Sequence, residues 1–136
     1  MLKSLMTGTA LILAIAAFSV AWTPTPASGA DAPTVVRKVL NQVDLPNNQT
    51  MAEIDVTIPV GGREGRHTHP GALMVYVTSG VFSLDYEGKP QTDYKAGDAF
   101  YVEAGKIHEG INKGNVPSHG IATFVGPKGP LTVQVQ

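Results

Sequence analysis

The sequence predicts an all-β domain, a sandwich or barrel of short strands. Two observations carry this. Beyond residue 30, β-branched and alternating apolar segments follow one another with Gly, Asn and Pro between them, and no window keeps a 3.6-residue period long enough for a helix. Strands this closely spaced make antiparallel sheets that must close or stack to bury their apolar face.

The elements follow in order. TVVRKVL (34–40) is a candidate strand, and VDLPNNQ (43–49) is a turn by its Pro and Asn content. MAEIDVTIP (51–59) alternates Ile54, Val56 and Ile58 with Glu53, Asp55 and Thr57, the pattern of a half-buried strand. PVGGREG (59–65) is a loop. LMVYVTSGVFSLDYEG (73–88) is expected to be a hairpin turning at Ser79-Gly80. DAFYVEA (98–104), KIHEGIN (106–112), GIATFVG (120–126) and LTVQVQ (131–136) are further strands. The sequon Asn48-Gln49-Thr50 falls at the end of the first turn and matters only in a host that glycosylates exported chains.

Residues 1–30 have a different character. Lys3 is their single charge, Ala10–Trp22 is apolar, and TPTPASGA follows. A basic tip, an apolar run and small residues in that order predict a secretory signal peptide cleaved after Ala30, with Ser28 at the −3 position. Pro24 and Pro26 oppose extension of the apolar run to a membrane span. Residues 31–136 then form one domain, exported to a periplasmic or extracellular location, with no stable membrane insertion after cleavage.

The 136-residue chain carries 10 Lys and Arg against 11 Asp and Glu. No basic cluster faces a phosphate backbone, which excludes nucleic acid as an expected partner. The absence of cysteine removes thiolate catalysis, disulfides, Cys-based zinc sites and acyl anchors together. Any metal must therefore be held by imidazole, carboxylate or carbonyl groups.

His67 and His69 stand one residue apart before a run of strand formers. In an extended chain alternate side chains share a face, so both imidazoles point the same way with roots roughly 7 Å apart. Such a pair can offer two nitrogens to one ion.

At these residues the sequence resembles the cupin family of small jelly-roll β-barrels. The family's first motif, G-x5-H-x-H-x3,4-E-x6-G, is matched by Gly61, His67, His69 and Gly80; Leu73 or Met74 stands where the glutamate belongs. The second, G-x5-P-x-G-x2-H-x3-N, is matched by Gly97, Gly105, His108 and Asn112, with Glu103 in place of the proline. The resemblance spans residues 61–112. It implies an all-β, single-domain cupin β-barrel of jelly-roll type in which His67, His69 and His108 hold a divalent transition metal. Three neutral imidazoles suit Fe, Mn, Ni, Cu or Zn, and ligand type alone does not select among them. Leu73 in the glutamate position leaves such a site dipositive, which favours anionic ligands.

Other residues are assigned by chemistry and position. Glu64, Glu103 and Glu109 are carboxylates near the motifs, but none is expected to replace the missing glutamate; Glu109 follows His108 and should face the other way. Asn112 is expected to be a structural turn residue and His119 to face solvent. Leu73, Val75 and Val77 should share the interior with the histidines, provided that Pro70-Gly71 does not shift the register by a bulge. Tyr76, Tyr86, Tyr94, Tyr101, Phe82, Phe100 and Phe124 are expected in the core or at an interface.

Two functions compete. One is a metal-dependent, dioxygenase-type enzyme acting on a small anionic or enol-bearing molecule, as the resemblance implies through histidine-only iron sites of cupin-like dioxygenases. The other is a non-catalytic module binding a small molecule or metal, which the loss of the glutamate favours. A purely structural assembly role needs no metal. A homodimer is expected, with TVVRKVL as the edge strand that pairs across subunits.

Overall fold

The computed structural model describes residues 33–135, and segment 1–30, expected to be a signal peptide, lies outside them. Ten strands make two five-stranded sheets, and every ladder is antiparallel. Strands β1 (Val36–Leu45), β2 (Gln49–Ile58), β4 (Ala72–Ser79), β7 (Ala99–Val102) and β9 (Ser118–Pro127) form the first sheet, ordered β1-β2-β9-β4-β7. Strands β3 (His67–Thr68), β5 (Val81–Tyr86), β6 (Thr92–Lys95), β8 (His108–Ile111) and β10 (Val133–Gln134) form the second, ordered β10-β3-β8-β5-β6. The inward residues of both sheets share one core, with Ile58, Val77, Val102 and Phe124 fully enclosed. This is the expected jelly roll, built as two facing ladders.

The alternation of MAEIDVTIP is borne out: Ala52, Ile54, Val56 and Ile58 are buried in β2. From His67 to Val77 every second residue is buried without interruption, so Pro70-Gly71 passes the register on unshifted. Leu73, Val75 and Val77 therefore lie on the same side as the histidines.

Several expectations are corrected. The first turn is confined to Pro46–Asn48, and Val43–Leu45 belongs to β1, because two consecutive asparagines with positive φ (59° and 57°) make the whole reversal. The segment 73–88 is not a hairpin. Strand β4 ladders with β7 and β9, whereas β5 ladders with β6 and β8, so the chain changes sheets at Gly80. A single linking residue is too short for a hairpin loop. Gly80 has φ +69°, and a Cβ there would lie 2.6 Å from the Pro117 carbonyl oxygen, so the crossing needs glycine for both conformation and space. Strand β6 was not expected from its polar sequence TDYK, which serves a sheet edge. Of the aromatics expected in the core or at an interface, Phe82, Tyr86, Phe100 and Phe124 are buried, whereas Tyr76 and Tyr101 stand exposed on the outer face of the first sheet.

Candidate metal centre

The three histidines predicted from the motifs come together inside the domain. His67 and His108 are direct cross-strand partners on β3 and β8, and His69 follows β3 on the same face. Their ring centroids are 4.3 Å (His67–His108), 4.9 Å (His67–His69) and 5.0 Å (His69–His108) apart. One ring nitrogen of each lies within 4.8 Å of the others, and the residues are 1%, 6% and 3% exposed for His67, His69 and His108. A ladder pairing plus a two-residue strand step thus makes a triangle that no single segment could build.

Each imidazole is oriented by a backbone carbonyl. Nδ1 lies 2.7 Å from Gly65 O in His67, 2.6 Å from Leu131 O in His69 and 3.0 Å from Lys106 O in His108. A carbonyl can only accept, so Nδ1 carries the proton in all three rings and Nε2 keeps its lone pair. None of the three Nε2 atoms has a hydrogen-bond partner among the described residues. Burial pushes the His69 imidazolium down to about 4, so that ring stays neutral in mildly acid solution, and burial shifts His108 in the same direction. Three buried, uniformly oriented imidazoles, each with an unpartnered Nε2, fit a divalent transition cation.

The walls are apolar: Ile54, Val56, Leu73, Leu84, Phe100 and Ala122 line the same cavity. Leu73 thus occupies the wall where the motif glutamate would sit, and it supplies no charge. Three polar residues besides the histidines complete the lining: Thr132, Arg37 and Glu64. Arg37 of β1 and Glu64 of the loop before β3 form an ion pair of 2.8 Å at the cavity wall. Glu64, not expected to act at the site, borders it without joining the imidazole cluster; Arg37 was not anticipated at all. The only signal for Arg37 was its presence in a strand whose partner is amphipathic, and strand pairing cannot be read from one strand alone.

The loop 61–65 is laced onto β8. Gly61 N–H donates to Asn112 O (3.1 Å), Asn112 N–H to Gly62 O (3.0 Å) and Glu64 N–H to Gly110 O (3.0 Å). Asn112 is structural, as expected: its Nδ2 donates to Ile58 O and Val116 O, and its Oδ1 accepts from Gly114 N–H. The two motifs are tied directly as well, by Gly105 N–H donating to His69 O at 2.8 Å. His119 lies apart from the cluster, half-buried, with Nδ1 2.9 Å from Thr57 Oγ1.

Glu109 points away from the histidines, as expected, yet it acts on one of them. Its buried carboxylate accepts from Arg63 through both oxygens and from Gly65 N–H (3.1 Å), and Gly65 O in turn holds His67. The Arg63 guanidinium keeps the Glu109 carboxyl below its ordinary value of 4.5. A depressed carboxyl contributes stability above its unfolded pKa and loses it as pH falls through the folded value. We expect Glu109→Gln to cost about 1–2 kcal/mol at pH 7, in line with hydrogen bonds to charged groups. Urea unfolding at pH 7 and again near pH 3 checks this, since the gap between variant and wild type should close in acid.

Two facing antiparallel sheets with an inward imidazole cluster define a small jelly-roll protein of metal-site type. The chain belongs to the cupin family: the family's cupin domain matches residues 54–124. No curated protein matches the chain. Among solved structures, a conserved double-stranded β-helix protein from Klebsiella pneumoniae is 23% identical with a TM-score of 0.62, over 82% of this chain and 90% of that one. A cupin-like protein from Thermotoga maritima is 24% identical with a TM-score of 0.61, over 76% and 77%. The DMSP lyase DddQ from Ruegeria pomeroyi is 21% identical with a TM-score of 0.59, over 62% of this chain; the match spans 43% of the lyase. At these identities the likeness is one of fold.

Proposed function

We propose that this cupin holds a divalent transition metal on His67, His69 and His108 and uses it to bind and activate a small anionic or enol-bearing molecule, in dioxygenase-type chemistry. The observation that carries the reading is the common orientation of the three imidazoles, each tied through Nδ1 to a carbonyl and each left with a free Nε2. A bound ion would supply Lewis acidity to the oxygens of a chelating ligand. The chain's own contribution is to fix the ligand set, to keep the His69 imidazole neutral by burial, and to exclude bulk water with the wall around Leu73 and Phe100.

A second reading, a non-catalytic binding module, is favoured by the wall itself. Leu73 cannot move protons, and both oxygens of Glu64 are already bonded, to Arg37 and to Gly110 N–H. Elemental analysis of the protein, with a His67→Ala/His108→Ala control, tests the shared part of both readings: near-stoichiometric metal that disappears in the control supports them. Oxygen uptake by the metal-loaded protein with a panel of diketones, flavonols and thiols then separates them.

We place the protein outside the cytoplasm on the strength of residues 1–30, and we expect it to pair with a second copy. Strand β1 stands at a sheet edge with nearly its whole length exposed, and Met51, Met74, Tyr76 and Tyr101 are exposed nearby on the first sheet. Light scattering should give twice the chain mass; a monomer mass removes this expectation.

A further inference from the structure

Arg37 is in an unusual place for a charge. Its partner across the β1–β2 ladder is Val56, which faces inward, so Arg37 also faces inward, toward the cavity that Val56 lines. Its side chain is 32% exposed and that of Glu64 only 11%. The guanidinium lines the same cavity as His67, His69 and His108.

Glu64 is anchored on its other side. Its Oε2 accepts from Gly110 N–H at 3.0 Å, its own N–H donates to Gly110 O, and a Cβ on Gly110 would collide with that Oε2. Both carboxylate oxygens are therefore committed. Arg37 is not: among the described residues its one side-chain hydrogen bond runs from Nη2 to Glu64 Oε1, leaving most of its five N–H donors to a ligand. The cavity offers about 40 Å³ to the centres of water molecules, room for roughly three of them, so an occupant has few atoms.

We propose that Arg37 is a specificity-determining residue that grips the carboxylate of a small carboxylic acid, and that Glu64 is the positioning residue that aims it. This deepens the reading above and rests on it for the metal that would chelate the same acid. A planar fork suits a carboxylate geometrically, with two parallel N–H···O bonds, which an ammonium cannot reproduce. The free groups that Arg37 adds to the cavity are all N–H donors, which suits an acceptor-rich anion better than a cation.

The test uses the full chain loaded with Zn(II), its zinc content measured, and calorimetric titration with acetate, lactate and malonate against acetamide, lactamide and malonamide. Wild type should bind at least one acid more tightly than its amide. Arg37→Met should remove that preference by about 10- to 100-fold, the worth of a charge-assisted pair, with zinc content and amide affinity unchanged. Arg37→Lys should recover only part of the loss, and Glu64→Gln should weaken acid binding while leaving zinc in place. Equal affinity for acids and amides in wild type, or a preference that survives in Arg37→Met, overturns the proposal. A wild type that takes up no zinc overturns the metal reading instead. The same titrations on the metal-free chain then decide the role of Arg37 by the same criterion.

Discussion

Replacing His108 by alanine is expected to weaken divalent-metal binding by at least about 100-fold, since loss of a group that merely orients a ligand already costs about 10- to 100-fold. The reason is local. His108 is the cross-strand partner of His67, so the ladder sets the spacing of two of the three nitrogens, and no neighbouring side chain stands ready to take its place. Leu73 offers no donor, and Glu64 is held by Arg37 and Gly110. Competition titration against a chromophoric chelator gives the affinity directly. His119→Ala is the matched control: that imidazole sits with Thr57, apart from the cluster, and its loss should leave metal affinity unchanged. Leu73→Glu adds a sharper test. Leu73 lines the same cavity, so a carboxylate there should recover part of the affinity lost in His108→Ala. If His108→Ala binds metal as wild type does, the cluster is not the binding site.

The largest effect on folding is expected at Gly71. A Cβ at this position would run into the Val125 carbonyl oxygen, come within 2.5 Å of Gly126 Cα and lie 2.8 Å from Phe124 Cζ. The first two are backbone atoms of β9, the central strand of its sheet, which is paired on both sides and cannot move alone. Phe124 is fully enclosed and packs against His69 with ring centroids 6.5 Å apart, so displacement also reaches the candidate site. Gly71→Ala should cost about 3 kcal/mol, the upper end of ordinary overpacking. For a domain of this size that lowers Tm by more than about 10 °C. Gly88→Ala separates steric from conformational cost: no atom lies within 4 Å of a Cβ there, but φ is +77°. It should cost only about 1–2 kcal/mol. Thermal unfolding by circular dichroism compares the two, and equal losses would refute the steric account.

How much of this was legible beforehand depends on the range over which each feature is encoded. Side-chain alternation along a strand is local, and it placed Leu73, Val75 and Val77 with the histidines on the condition that Pro70-Gly71 kept the register, which the structure shows it does. The resemblance to the cupin motifs placed His108 with His67 and His69, and the metal-ligand expectation rests on residues that the structure does bring together. The Ser79-Gly80 turn was legible as a turn, but a hairpin and a change of sheet use the same residues. Only the partners of β4 and β5 distinguish them.

By itself, then, the sequence determined the all-β class and, through its resemblance to the cupin motifs, the identity of the three imidazoles, because strand patterning and motif residues are read along the chain in one dimension. The tertiary structure alone decided which carbonyls hold the rings, that Leu131 from the far end of the chain reaches His69, and that Arg37 of the edge strand faces Glu64 at the cavity. Any residue can supply a carbonyl, and a charged side chain in an edge strand has no inward direction until its partner strand is known. Those features depend on pairing between distant segments, which residue types do not specify.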